Sequence, residues 1–218
     1  MHVVIAGGHG KIALILERLL SARGDSVAGF IRNPAQVADL EAAGADALVV
    51  DLEKASVDEV AGHLRGADAV VFAAGAGPGS GAARKETVDR DAAVLLADAA
   101  EAAGVERYVM VSSMAADPQA TADDEVFQAY LRAKGVADEA IRGRAALKWT
   151  IVRPGALTNG AAIGRVAIAE STGRGSIPRA DVAAVLVAVL DEPRTAGRSF
   201  DLISGQTPIA EAVSALVH

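Results

Sequence analysis

Short runs of apolar residues alternate along the chain with longer segments in which apolar residues recur every three or four positions. A short apolar run bounded by turn residues is typical of a buried strand, and a period near 3.6 is typical of an amphipathic helix. The runs predict strands at residues 3–6, 26–31, 47–50, 69–73, 108–112, 150–152 and 200–203. The periodic segments predict helices at residues 12–23, 35–43, 57–64, 86–103, 126–142, 180–190 and 210–217.

The predicted strands are apolar on both faces and are separated by helices. This pattern indicates a parallel sheet of βαβ units that helices cover on both sides. Right-handed crossovers then give the α/β class with a doubly wound parallel sheet, the Rossmann fold, in a single domain over residues 1–218. Turn residues predict a loop at 75–82. Residues 155–178 have little periodicity, and we expect a long loop or small lid there, in a C-terminal substrate region at roughly 155–180.

Composition narrows the classes of function. The chain carries a net charge of −7 and no cysteine, which disfavours nucleic acid as a partner and excludes thiolate metal sites, disulfides and a thiol nucleophile. No apolar run approaches the length of a membrane span, and the histidines show no metal-binding spacing. We therefore expect a cytoplasmic protein, a monomer or homodimer, that acts on a small molecule and binds no metal.

A glycine-rich turn joins the first predicted strand to the first predicted helix. Gly7 and Gly10 allow a tight turn and a close backbone approach to phosphate, and Ala13 suits the packing of helix on strand. A strand, a glycine turn and a helix N-terminus together seat a pyrophosphate on backbone N–H groups. The alternative is an ordinary strand–helix turn. The turn residues that we expect to bind a dinucleotide are Gly7, His9, Gly10, Lys11 and Ile12.

The residues after the second predicted strand indicate which dinucleotide fits. An acid at this position binds a free ribose 2′-hydroxyl, whereas a cation pairs with a 2′-phosphate. The chain has Arg32 and Asn33 here, which favours NADP(H) over NAD(H); the alternative is that Arg32 is a solvated turn residue. Asp51 and Leu52 follow the third strand, where a carboxylate either accepts from the adenine amino group or caps the next helix.

An ordered series of motifs runs along essentially the whole chain. The motifs are Gly7-x-x-Gly10, Arg32-Asn33-Pro34, Asp51-Leu52, Ala73-Ala74-Gly75, Ser112-Ser113, Tyr130-x-x-x-Lys134 and Arg153-Pro154-Gly155. In this order they resemble the short-chain dehydrogenase/reductase superfamily, most closely its atypical branch of NAD(P)H-binding, NmrA-like and epimerase-like proteins. The resemblance implies that the cofactor also contacts residues after the later strands. These are Ala73, Ala74, Gly75, Ser112, Tyr130, Lys134, Pro154, Gly155 and Leu157.

The resemblance also implies a catalytic set. Tyr130 exchanges a proton with the substrate, and Lys134, on the same helical face, activates the phenol and holds the cofactor ribose. A serine after the fifth strand binds the substrate carbonyl. Ser112 and Ser113 both qualify, and we favour Ser113, since alternation lets only one of them face the cleft. Asp89 stands where the superfamily usually has asparagine; it either orients Lys134 or is a solvated helical residue.

These residues predict an NADP(H)-dependent oxidoreductase that transfers a hydride to or from a small carbonyl, alcohol or quinone-like substrate, with Tyr130 as acid/base. The alternative from another class is a non-catalytic NADP(H)-binding redox sensor, since Asp89 departs from the catalytic pattern and puts the usual water-mediated proton relay in doubt. Epimerase or dehydratase chemistry ranks third, because such enzymes usually carry a larger C-terminal lobe than the residues after Arg153 supply.

Overall fold

The computed structural model describes residues 1–77 and 79–217; Pro78, inside the loop predicted at 75–82, and His218 lie outside the described residues. Within these ranges the strands are β1 (His2–Ala6), β2 (Ser26–Ile31), β3 (Asp46–Val49), β4 (Ala69–Phe72), β5 (Arg107–Val111), β6 (Lys148–Pro154), β7 (Ala156–Thr158), β8 (Arg165–Ala169), β9 (Ser176–Pro178), β10 (Arg198–Ser204) and β11 (Thr207–Pro208).

The helices of the same ranges are α1 (Lys11–Ala22), α2 (Val37–Ala42), α3 (Val57–Leu64), α4 (Ala82–Arg84), α5 (Ala92–Ala103), α6 (Glu125–Arg142), α7 (Arg179–Asp191) and α8 (Ile209–Ala215). Short 3₁₀ turns cover Pro34–Gln36 and Pro193–Thr195, and a π-helical segment, Lys85–Asp91, joins α4 to α5. The helix predicted at 86–103 therefore starts earlier and is wider in its first turns. No helix in the described part of the chain is long and apolar enough to cross a bilayer.

The strand order confirms the doubly wound fold. Within the described ranges, nine strands form one sheet in the order β11-β8-β10-β6-β5-β4-β1-β2-β3. β1 pairs in parallel with β2 on one side and with β4 on the other. In such a sheet, ligands bind beyond the carboxyl ends of the strands where the strand order reverses. That point lies between β1 and β4, directly above the glycine turn.

Helices cover both faces of the sheet, as predicted. One hydrophobic cluster joins the sheet to α1 and α7 and includes Leu16 and Leu186. The cluster on the opposite face joins it to α3, α5 and α6 and includes Leu64, Leu96 and Ile141. Successive β1 residues belong to opposite clusters, because neighbouring side chains in a strand point to opposite faces. The central strands are therefore buried on both sides.

The segment from 155 to 178 is not the continuous loop that its composition predicted. It contains β7, β8 and β9, and β8 enters the main sheet antiparallel to both β10 and β11. β7 and β9 form a small parallel pair of their own. The apolar run at residues 166–169 was a usable signal for β8 that sequence reasoning missed, although only Val166 of this strand is fully buried. The sheet is thus mostly, and not wholly, parallel.

Candidate functional site

The turn after β1 requires its glycines for two separate reasons. Gly7 has a φ of +81°, and a Cβ on it would lie 2.6 Å from the Cα of Ala74. The Gly10 N–H donates to the Gly7 carbonyl at 2.8 Å, and a Cβ on Gly10 would lie 3.0 Å from that same oxygen. The backbone is therefore folded tightly against the segment after β4. No side chain caps the N-terminus of α1, so its first N–H groups remain available to an anion.

A cleft of about 300 Å³ lies at the carboxyl ends of β1 to β4. Nine of the residues predicted to bind the cofactor line it, namely Gly7, His9, Gly10, Arg32, Asp51, Leu52, Ala73, Ala74 and Gly75. Parallel strands end at the same edge of the sheet, so segments far apart in sequence converge there. The structure thus brings together the glycine turn and the residues after β2, β3 and β4.

The cleft also contains residues that sequence reasoning missed. Those with polar side chains are Gln36, Glu53 and Arg84, and the apolar ones are Phe30, Ile31, Val50, Val88 and Ala92. Phe30, Ile31 and Val50 end strands or follow them directly, and their position was a usable signal. Arg84 lies on α4, at the edge of a π-helical segment, and no local pattern in the sequence pointed to it. Segments of π-helix are frequent at functional sites.

Arg32 and Arg84 meet at one end of the cleft on a single carboxylate. Arg32 Nη1 donates to Glu53 Oε2 at 2.7 Å, and Arg84 Nη2 donates to the same oxygen at 2.9 Å. The Thr87 hydroxyl donates to Glu53 Oε1 at 2.7 Å. Partial burial acts to raise the pKa of Glu53, but the hydrogen bonds from Arg84 and Thr87 and the two guanidinium charges hold it below its ordinary value. Glu53 is therefore ionised at neutral pH.

His9 belongs to a small polar chain beside the glycine turn. Its Nε2 lies 2.7 Å from Asp39 Oδ2, and its Nδ1 lies 3.0 Å from the Gln36 side-chain nitrogen. With Gln36 as donor to Nδ1, the ring donates from Nε2 to Asp39. The imidazole is therefore held by α2 and the turn before it, next to the expected place of the phosphates.

Asp51 does not cap the helix that follows it. Its Oδ1 accepts from the Glu53 N–H at 3.2 Å, and its Oδ2 pairs with Lys54 at 3.3 Å. The cap of α3 is Ser56, whose hydroxyl oxygen accepts from the Glu59 N–H at 3.2 Å. The helix-cap alternative for Asp51 was therefore wrong, and its carboxylate lines the cleft. Contact with adenine stays a prediction.

Lys134 lies beneath the cleft, with 3% of its side chain exposed. Its ammonium donates to the carbonyls of Ala74 at 3.3 Å and Val111 at 3.2 Å, and it lies 3.4 Å from Asp89 Oδ1. Asp89 is fully buried, and its other oxygen accepts from the Ala76 N–H at 3.2 Å. This carboxylate is thus not a solvated helical residue; it orients Lys134 across the ends of β4 and β5. The ribose contact of Lys134 stays a prediction, and it requires the exchange of one of these partners.

Tyr130 is half-buried at the start of α6. Its ring stacks on the exposed ring of Phe127 with centroids 6.0 Å apart. Lys85 Nζ lies 5.5 Å from the centroid of the Tyr130 ring and donates to the Gly77 carbonyl at 2.8 Å. A positive charge beside an aromatic ring is attracted by its π-electrons. The Tyr130 ring therefore contacts two side chains that sequence reasoning did not select.

Ser112 and Ser113 follow the end of β5 and differ in burial. The Ser112 side chain is buried beside Asp138 of α6. Ser113 is half-buried, and its hydroxyl donates to the Met114 carbonyl at 3.1 Å. Burial acts most strongly on Asp138 and raises its pKa, although Ser112 and Arg153 oppose this. Ser113 is therefore the more accessible hydroxyl, and its catalytic role stays a prediction.

The predicted catalytic residues Asp89, Ser112, Ser113, Tyr130 and Lys134 are not among the residues that line the cleft, and neither are the remaining predicted residues. Ile12 lies in the core, and the Asn33 side chain caps the following 3₁₀ turn by accepting from the Ala35 N–H at 3.1 Å. Pro154 ends β6, and a Cβ on Gly155 would lie 2.4 Å from the Gly175 carbonyl oxygen. Gly155 is thus required by the strand pair of β7 and β9. Leu157 is exposed on β7, and Lys11 lines a neighbouring cavity.

The cleft fits a dinucleotide. Gly7 lets the turn pack directly against Ala74, where a Cβ would clash, and the uncapped N-terminus of α1 presents N–H donors to a pyrophosphate. Apolar side chains such as Ile31 and Val88 line one part of the cleft, and the two arginines lie near Glu53. Such a mixture suits a flat base, a ribose and phosphates.

Comparisons with known proteins agree with this geometry. The family described as NAD(P)H-binding matches residues 7–193. YhfK, an uncharacterized sugar epimerase of Bacillus subtilis, is 40% identical over 217 residues, which cover 99% of this chain and 100% of YhfK. A Bacillus halodurans structure, provisionally named an NAD-dependent epimerase/dehydratase, is 36% identical with a TM-score of 0.90 and coverage of 99% of each chain. The oxidoreductase ylbE from Lactococcus lactis is 28% identical with a TM-score of 0.87, over 100% of this chain and 97% of ylbE.

These similar proteins carry oxidoreductase and epimerase names, and they share the Rossmann-like fold over almost the whole chain. The matched family spans the glycine turn, the cleft, Tyr130 and Lys134. The resemblance drawn from the ordered motifs is confirmed. The chain therefore belongs to the NAD(P)H-binding family, in the atypical short-chain dehydrogenase/reductase group.

Proposed function

We propose that the protein is an NADP(H)-dependent oxidoreductase acting on a small carbonyl, alcohol or quinone-like substrate. The observation that carries the proposal is the cleft itself, which has a glycine cradle at the start of α1 and two guanidinium groups beside Glu53. When bound, the nicotinamide supplies or accepts the hydride. The chain's own residues bind the coenzyme, orient it and move the accompanying proton.

The two arginines support a preference for NADP(H). Arg32 and Arg84 converge on Glu53, which neutralises part of their charge. A ribose 2′-phosphate carries more charge than a carboxylate and accepts several hydrogen bonds, so it competes well for the same donors. In this proposal Glu53 holds both guanidinium groups in position until the 2′-phosphate replaces it. NADH has no 2′-phosphate, so the two guanidinium groups do not increase its affinity.

Direct binding measurements test this preference. Arg32→Ala and Arg84→Ala should each raise the Kd for NADPH about tenfold or more, because each removes a charge-assisted pair. The Kd for NADH should change by less than about twofold in the same variants, since no phosphate partner is lost. Arg65→Ala, at an exposed arginine beside the end of α3, is the matched control. Equal losses for the two coenzymes would overturn the 2′-phosphate assignment.

Tyr130 is proposed as the acid that completes carbonyl reduction. As the hydride reaches the carbonyl carbon, the phenol O–H gives its proton to the carbonyl oxygen, and the alcohol forms; oxidation runs these steps in reverse. Ser113 donates a hydrogen bond to the same oxygen and stabilises its developing charge. Lys134 and Asp89 act as positioning residues, because their ion pair ties the segments after β4 and β5 together beneath the cleft.

Steady-state kinetics test the acid. With NADPH and a panel of aldehydes and quinones, Tyr130→Phe should lower kcat roughly a hundredfold or more, because the proton donor is lost. The Kd for NADPH should change far less than kcat, because Phe keeps the aromatic ring and loses only the hydroxyl. Phe127→Leu is the control, since it removes the stacked ring and keeps the phenol. Full activity in Tyr130→Phe would remove Tyr130 from the mechanism, and tight NADPH binding without turnover would favour the redox sensor.

Epimerase or dehydratase chemistry is the second candidate. It is favoured by the epimerase names of the Bacillus subtilis and Bacillus halodurans proteins, which are 40% and 36% identical to this chain. Such a reaction returns the coenzyme to its starting redox state in each cycle. Conversion of a nucleotide sugar without net loss of NADPH absorbance would favour it over the oxidoreductase.

A further inference from the structure

A second cavity, of about 360 Å³, lies on the face of the sheet that α1 and α7 cover. Lys11 and Arg18 reach it from α1, Arg179 from the first turn of α7, and Asn159 from the segment after β7. We call it the cationic pocket. Its residues do not overlap with those of the dinucleotide cleft, although Lys11 directly follows Gly10 of the glycine turn.

The charge of the cationic pocket is opposite to that of the whole chain. Three cationic side chains and no carboxylate line it, whereas the protein carries a net charge of −7. Most other arginines, such as Arg153, pair with a carboxylate. In the described part of the chain, Lys11 and Arg18 form neither an ion pair nor a side-chain hydrogen bond. Cations that converge on a cavity without an internal counter-ion favour an external anion.

The wall of the cationic pocket is held in place before any ligand arrives. Arg179 Nη1 donates to Asn159 Oδ1 at 2.8 Å and lies 3.4 Å from the Leu157 carbonyl oxygen. Two residues later, the buried Asp181 accepts from the Ile163 N–H at 2.9 Å and the Gly164 N–H at 2.8 Å. The segment from 157 to 164 is thus pinned at both ends to the first turn of α7. A site that is already ordered loses little conformational entropy on binding.

The floor of the cationic pocket is apolar. It is formed by the half-buried side chains of Leu14 and Ile15 from α1 and by Ala180 from α7. Leu14 and Ile15 are followed one turn later by Arg18, so the apolar and cationic groups lie on one helix face. A small inorganic anion would use the cations and leave this floor exposed to water. An organic anion with an apolar body would cover both.

We propose that the cationic pocket binds the anionic part of the substrate, an amphipathic organic molecule with a carboxylate or phosphate group. The group lies against the three cations, and the apolar body lies on the floor. The pocket includes Lys11, which follows the glycine turn, and Asn159 and Arg179, which lie in the substrate region predicted at roughly 155–180. The identification of this anion as substrate rests on the proposed function, whereas the binding of the anion does not.

Calorimetric titration with simple probes tests the pocket directly. Octanoate and octyl phosphate should bind at one site, and 1-octanol and inorganic phosphate should each bind at least about tenfold more weakly, since each lacks half of the interaction. Octanoate binding should persist when NADP⁺ is present in excess. Competition by NADP⁺, or equal binding of octanol and octanoate, would overturn the proposal. The two head groups distinguish a carboxylate from a phosphate ligand.

Two variants assign the binding to this pocket. Arg18→Gln and Arg179→Gln should each weaken octanoate binding at least about fivefold, because each removes one charge. Arg65→Gln, on the opposite face of the sheet, should leave it unchanged. Arg18→Gln is the sharper test, since Arg179 also anchors Asn159. Equal octanoate affinity in Arg18→Gln and Arg65→Gln would end the proposal. These binding measurements need no turnover. Their outcome therefore does not depend on whether the proposed Tyr130 mechanism is correct.

Discussion

Glu17 carries a carboxyl group in buried surroundings that offer it neither bulk solvent nor, within the part of the chain that the structure describes, a hydrogen-bond donor. It lies on α1 behind the glycine turn with no exposed surface, and neither of its carboxylate oxygens has a hydrogen-bond partner in the described residues. A Cβ on Gly29 would lie 2.8 Å from Glu17 Oε1, and one on Gly8 would lie 3.1 Å from it. Burial raises the pKa of Glu17 to about 8, and the charge of Arg18 opposes this only in part.

The buried carboxyl predicts a pH-dependent stability. Between pH 5 and pH 8 the folded protein keeps a proton on Glu17 that the unfolded chain has released, so the free energy of unfolding should fall as the pH rises. A pKa shift from 4.5 to about 8 corresponds to a loss of roughly 3 to 4 kcal/mol between pH 5 and pH 8. Urea unfolding followed by circular dichroism at several pH values measures it.

The control for this prediction is a second glutamate. Glu17→Gln should flatten the pH dependence, because the amide does not titrate, whereas Glu41→Gln, at an exposed residue of α2, should leave it unchanged. Identical slopes for the wild type and Glu17→Gln would mean that the carboxyl has a partner or water that stabilises its charge. The amphipathic pattern of α1 gave no reason to bury Glu17. Gly8 and Gly29 leave the space beside α1 that the Glu17 carboxylate occupies.

At the scale of elements, Arg107 joins four parts of the fold. From the first residue of β5, its guanidinium donates at 2.8 Å to the Lys148 carbonyl and the Thr150 hydroxyl of β6. It also donates at 2.8 Å to the Val189 carbonyl of α7 and to the Thr195 hydroxyl. No carboxylate faces it in these contacts, and burial lowers its pKa to about 10. The carbonyl at the end of α7 is a favourable partner, because the C-terminus of a helix carries partial negative charge.

We expect Arg107→Leu to destabilise the fold by roughly 2 to 4 kcal/mol, because it leaves buried carbonyls and hydroxyls without their donor. Thermal and urea unfolding should show the loss, while the cofactor cleft, at the other end of β5, should keep its NADPH affinity. Arg65→Leu serves as the exposed comparison. If Arg107→Leu were as stable as the wild type, the buried carbonyls and hydroxyls would have to find other hydrogen-bond donors, and this prediction would be wrong.

Most elements were predictable because their patterns are local. β2 and α3 have the predicted bounds, and α1, α6 and α7 differ from prediction by at most one residue at either end. The exceptions have physical causes. β8 is a strand because β10 offers it a hydrogen-bonding edge, and that edge is 30 or more residues away along the chain. The π-helical turns before α5 depend on packing against α6, which no period in the sequence reports.

At the scale of the whole molecule, the net negative charge contrasts with positive charge at the cofactor cleft and at the cationic pocket. A net charge of −7 keeps like molecules apart. Arg32 and Arg84 at the cleft, and Lys11, Arg18 and Arg179 at the cationic pocket, concentrate positive charge where an anionic coenzyme and an anionic substrate are proposed to bind. Cavities of one sign of charge raise the local concentration of oppositely charged ligands.

The amino-acid sequence by itself determined the α/β architecture, the glycine turn and the place of Arg32, because each of these follows from a local period or from turn chemistry. Only the tertiary structure decided that Glu53 and Arg84, 31 residues apart, meet at the cleft. It alone decided that Lys134 is tied to Asp89 below the cleft and that three cations share a second cavity. Such contacts depend on strand order and helix packing, which bring distant segments together. The spacing of neighbouring residues in the sequence does not reveal them.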